Sequence, residues 1–120
     1  MANELTVSAS LAYNPSVANH QKIPRFELVK RVSMTGADFS MGTQALTTSE
    51  EALDITSDIG TTGMVFIKNL DASNTVLVGL TGSFPVRCLA GEYAQFRANG
   101  TIFVKTSSST AIIQYWVFEE

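Results

Sequence analysis

Turn-forming residues interrupt this chain roughly every 8–12 residues, and the runs between them are short and β-patterned. No run carries a convincing helical period. That spacing is the mark of a β-sandwich or a β-barrel. The first run, residues 4–13 (ELTVSASLAY), alternates strictly. Leu5, Val7, Ala9, Leu11 and Tyr13 share one face; Glu4, Thr6, Ser8 and Ser10 share the other. Further strands are expected at residues 25–35, 39–46, 64–69, 75–80, 84–89, 92–98, 101–106 and 111–118. Gly42 is expected to mark a bulge. Residues 47–55 (TTSEEALDI) loosely resemble a capping box, but the run is short for a helix and reads better as extended chain. The runs 64–69 and 75–80, with the polar turn between them, read as a hairpin. Asn99-Gly100 predicts a two-residue type I′ turn between paired strands. The expectation is one all-β domain over 1–120, an antiparallel, jelly-roll-like sandwich of about 8–10 strands. An extended arm or loop is expected over 14–24.

Three runs are apolar at consecutive positions. These are Met64-Val65-Phe66-Ile67, Val76-Leu77-Val78 and Ile112-Ile113 with Tyr115-Trp116-Val117-Phe118. A sandwich strand needs only one apolar face. The surplus face must be covered, and a 120-residue chain has little spare length to cover it. Charged residues make up only 16% of the chain, against about 25% in ordinary domains. Such a neutral surface suits contact between subunits, so a symmetric homo-oligomer is expected. The strand at 4–13 offers a second route, pairing with a neighbouring subunit as an added strand.

The pattern argues against several functions. A net charge of −3 lacks the basic footprint of a nucleic-acid binder. The basic cluster Lys22, Arg25, Lys30 and Arg31 reads either as a solvated strand edge or as a patch for an acidic partner. One cysteine, Cys88, excludes an internal disulfide, and its apolar surroundings predict a buried thiol. The first ten residues lack the pattern of a signal peptide, and no apolar run reaches the roughly 20 residues of a membrane span. A soluble chain made in a reducing cytosol is therefore expected. His20 is the only histidine, and no nucleophile elbow accompanies it. One Cys and one His do not make a zinc site. Asp71, Ser73 and Asn74 could be drawn as calcium ligands, but Asp and Asn favour turns for backbone reasons alone. No phosphate loop is present. The reading is no enzyme and no cofactor.

The segment T-S-E-E-A-L-D (48–54), with G-x-x-F-I-K-N-L-D-x-x-N (63–74) after it, resembles a group of short structural proteins of tailed bacteriophages. F-P-V-R-C-L-A-G-E (84–92), the closing Y-W-V-F-E-E (115–120) and the opening MANELTVSASLAY are also similar to that group. The resemblance spans nearly the whole chain. It implies a virion protein made in the bacterial host's cytoplasm, most like capsid decoration, or cement, proteins. These are commonly β-rich trimers that clamp the major capsid protein, so the resemblance implies a homotrimer for this chain. Tail or head-fibre components share the same composition, and a small carbohydrate-binding module is a further alternative. The expected oligomer or capsid interface is Met64, Phe66, Tyr115 and Trp116, with Lys22 and Arg25 on the arm. Nucleic acid and membrane are not expected partners.

Overall fold

A computed structural model describes residues 3–13 and 23–120, with the side chains of residues 3, 13 and 23–26 outside the description. The chain divides after Met34 into two units, 1–34 and 35–120.

In the first unit, β1 (Asn3–Tyr13) pairs antiparallel with β2 (Ile23–Met34), forming a two-stranded sheet. The strand expected to add to a neighbouring subunit therefore has a partner within its own chain. Leu5 faces Val32, Val7 faces Lys30 and Ala9 faces Leu28. Opposed residues share a side of the sheet, so one face is apolar but for Lys30. On the other face Arg31 meets Glu4 at 3.6 Å. That pair is exposed and adds little stability. Residues 14–22 of the expected arm, with His20 and Lys22, lie outside the described residues; 23 and 24 begin β2.

The second unit is an antiparallel sandwich of eight strands. They are β3 (Phe39–Leu46), β4 (Glu51–Ala52), β5 (Thr62–Asn69), β6 (Val76–Leu80), β7 (Ser83–Cys88), β8 (Tyr93–Arg97), β9 (Phe103–Thr106) and β10 (Ala111–Glu119). One sheet runs β3-β10-β5-β8 and the other β4-β9-β6-β7. The pairings are nested: β3 with β10, β4 with β9, β5 with β8, and β6 with β7 at the centre. This is a long antiparallel hairpin rolled upon itself, and rolling adds the pairs β10–β5 and β6–β9. The result is a jelly roll. Residues 47–55 are extended around the short β4, as expected.

Rolling corrects two local expectations. Residues 64–69 and 75–80 do not form a hairpin, because β5 and β6 belong to different sheets. Asn99-Gly100 joins β8 to β9, which also lie in different sheets. A type I′ turn needs positive φ at both central residues; Gly100 has it (109°), and Asn99 does not. Gly42 makes no bulge either, since β3 stays in register with β10 from Phe39 to Leu46. A Cβ there would sit 3.5 Å from the Tyr115 hydroxyl, an ordinary van der Waals contact.

The core lies between the sheets. Leu46, Val65, Ile67, Val76, Val78, Val104, Ile113 and Val117 are fully buried, each from the inward-facing set of its strand. At the open edge, Gln44 ties one sheet to the other. Its Nε2 donates to Glu51 Oε1 (2.9 Å) and to the Ala52 carbonyl (3.0 Å), and its Oε1 accepts from the Asp54 N–H (2.9 Å).

Candidate interaction face

The two sheets present different outer surfaces. The outer side of β4-β9-β6-β7 carries Lys105 and the exposed Arg87, both in register with Leu77. The Lys105 ammonium stands 4.6 Å from the centre of the Phe84 ring, a cation–π contact.

The outer side of β3-β10-β5-β8 carries an aromatic and apolar cluster, with Lys68, Gln95, Arg97 and Gln114 on the same face. Register places Trp116 between Met41 and Phe66, and Phe118 beside Phe39. Alternation puts Met64 and Phe66 on this face while Val65 and Ile67 enter the core. Phe66 stacks on Tyr93 (5.3 Å, 21°) and meets Trp116 edge-on (5.2 Å, 69°). Phe39 and Phe118 are 6.2 Å apart. Both distances and angles fall in the range of favourable ring pairs. Mutual contact leaves Met64, Phe66, Trp116 and Phe118 part-covered, whereas Phe39, Met41, Tyr93 and Ile112 are exposed. Met64, Phe66 and Trp116 thus lie on one face. Ile112 and Phe118, from the doubly apolar run of β10, share it, and Phe39, Met41 and Tyr93 join them unforeseen.

Tyr115 does not belong to this set. It is buried, and its hydroxyl donates to the Asp54 carbonyl. The run 112–118 is apolar throughout, so composition alone could not assign its two faces. Parity from the core residues Ile113 and Val117 assigns Tyr115 inward. Burial and the nearby Asp54 raise its phenol pKa above the usual value. Arg25 lies in β2 with its side chain outside the description, and Lys22 lies outside it altogether.

The polar groups that suggested ligand chemistry hold backbone instead. The Asp71 carboxylate accepts from the N–H of Asn74 (2.6 Å) and of Ser73 (2.9 Å). Asn74 Nδ2 donates to the Thr110 carbonyl (2.7 Å). The Glu50 carboxylate accepts from the Thr81 hydroxyl and the Gly82 N–H, closing the β6–β7 turn. Cys88 is buried, and desolvation raises its thiol pKa. Among the described residues, no three His, Cys, Asp or Glu side chains stand close enough to hold a metal ion. Among the described residues, no helix is long and apolar enough to cross a membrane.

These contacts set a pH dependence. Hydrogen bonds hold Asp71 and Glu50 below their ordinary values of 3.8 and 4.5. For Asp71 the Asn74 N–H is the larger cause; for Glu50 it is the Thr81 hydroxyl. A depressed carboxyl pKa stabilises the fold fully above the unfolded value, and that stability drains away as pH falls through the folded one. The melting temperature should therefore fall below about pH 4. In Asp71→Asn that acid limb should be shallower, and a limb unchanged by the substitution would refute the assignment.

Comparisons with family models, curated proteins and solved structures find no match to this chain.

Proposed function

We propose that this chain is a non-enzymatic structural protein of a tailed-phage virion. It decorates the capsid, binding the major capsid protein and stabilising the shell as a homo-oligomer. The observation that carries this reading is the cluster of aromatic and apolar side chains on the outer side of the β3-β10-β5-β8 sheet. An uncovered apolar face of this extent marks a protein–protein surface. The motifs shared with phage structural proteins indicate which kind. The jelly roll supports it, since that architecture recurs in viral capsid domains, although lectins use it too. Many copies on one shell need only weak individual contacts, because avidity accumulates.

The test is an image of the assembled particle, with this chain located by a tag. Density on the shell, and shells that lose thermal stability without it, are the expected results. Density on the tail would favour the fibre or tail reading. Absence from the particle would overturn both. One observation favours a carbohydrate module, the exposed Tyr93 ring. One face of that ring is already stacked on Phe66. Binding of soluble glycans, lost in Tyr93→Ala, would support that rival.

A further inference from the structure

We infer that the aromatic face of the β3-β10-β5-β8 sheet docks the same face of a second copy across a two-fold axis. This deepens the homo-oligomer reading above and rests on it.

The argument begins with area. Phe39, Met41, Tyr93 and Ile112 are 58%, 55%, 60% and 51% exposed. At about 200 Å² for a fully exposed large side chain, these four present roughly 450 Å². The part-covered Met64, Phe66, Trp116 and Phe118 bring the face to roughly 600 Å² per copy. Two such faces together bury about 1,200 Å², the lower bound for a specific interface. Pairing a single patch with itself is isologous, which is two-fold symmetry.

Charge then sets the direction. Lys68 stands at one end of the face, opposite Tyr93 on β8 and Gln114 on β10. The other end carries Glu120, whose N–H bonds the Thr61 carbonyl, and Asp38, whose carbonyl accepts from the Glu119 N–H. Arg97 offsets part of that charge through its 3.0 Å pair with Glu120. Between Lys68 and Thr61 lie about 23 Å of extended chain. A two-fold axis lying in the interface and perpendicular to the strands reverses their direction. It sets Lys68 of each copy over the acidic end of the other, which fixes one orientation and disfavours the parallel one.

Light scattering and sedimentation on the full chain test the inference. The expected mass is twice 12.9 kDa. Ile112→Glu and Met41→Glu, both at exposed sites, should each give a folded monomer with unchanged strand content, whose melting temperature no longer depends on protein concentration. Lys68→Glu and Glu120→Lys should each weaken the dimer about tenfold, with the double variant returning to within about threefold of the parent. Leu28→Glu on the β1–β2 hairpin should change nothing. A trimer, an assembly that survives both Ile112→Glu and Met41→Glu, or one broken by Leu28→Glu would overturn the pairing. Capsid binding by such a chain would leave the proposed function standing. A chain that is monomeric at every concentration and absent from the particle would sink both.

Discussion

Replacing Asn69 with Leu should cost roughly 3–5 kcal/mol and lower the melting temperature by about 10–20 °C. Asn69 ends β5 fully buried, where Leu would satisfy the apolar environment and nothing else. Its Nδ2 lies within hydrogen-bonding reach of the carbonyls of Asn74 (2.8 Å), Cys88 (3.1 Å) and Leu89 (3.2 Å), and its Oδ1 accepts from the Asp71 N–H (2.9 Å). Its own backbone adds bonds to Glu92 and Gly91. One side chain thus holds the crossing from β5 to β6 against the crossing from β7 to β8. Without it, three carbonyls and an N–H lose their partner in a place water reaches poorly, and each unsatisfied group costs about 1–3 kcal/mol. Water reaching some of them keeps the total below the full sum. Asn69→Asp is the informative control. It keeps an acceptor but points a carboxylate at three carbonyls, so it should be at least as damaging as Leu. A loss under about 1 kcal/mol for both would show that the loops hold themselves.

Asn69 also shows what the sequence made legible and what it hid. As a residue type it reads as turn chemistry, alongside Asp71 and Asn74. For Asp71 that reading holds, since its carboxylate accepts from backbone N–H groups of its own loop, while the Asn74 side chain reaches the Thr110 carbonyl in the turn between β9 and β10. Parity carried the missing signal for Asn69. It shares the phase of Val65 and Ile67, so it points into the core. Strand positions were legible because alternation and turn residues are local. Strand partners were not, because in a jelly roll most successive strands cross between sheets. Asn-Gly looks the same at a hairpin and at a crossing; what differs is the long-range nesting of β8 with β5. The aromatic face was half legible. Doubly apolar strands pointed to Met64, Phe66 and Trp116. Tyr93 was hidden by its place in a mixed run, and Phe39 by a strand that looks weak. Only the register of four strands brings these residues together.

Gly79→Val should be the most damaging single change at a glycine, costing about 3 kcal/mol or more. Gly79 needs no unusual backbone angle, since the positive-φ glycines are Gly82, Gly91 and Gly100. It needs space. Between β6 and β7 the register shifts: Val78 pairs with Val86, while Leu80 pairs with Ser83. The extra residue on β7 swings that strand's backbone across Gly79. A Cβ would run into the Ser83 carbonyl oxygen and lie 2.8 Å from Phe84 Cα and 2.9 Å from Pro85 Cδ. The first two are backbone atoms, with no rotamer to yield. Relief would require opening the one hairpin of the sandwich in which sequential strands pair within a sheet, the turn about which the nested pairs are arranged. Gly82→Ala separates this cause from backbone strain. Its φ is 75°, and an added Cβ meets nothing within 4 Å, so it should lose only about 1 kcal/mol. Equilibrium unfolding of the two variants reads the difference directly. If Gly79→Val proves no worse than Gly82→Ala, the bulge is soft enough to move, and the centre of the roll is held by its side chains instead of by the close approach of its strands.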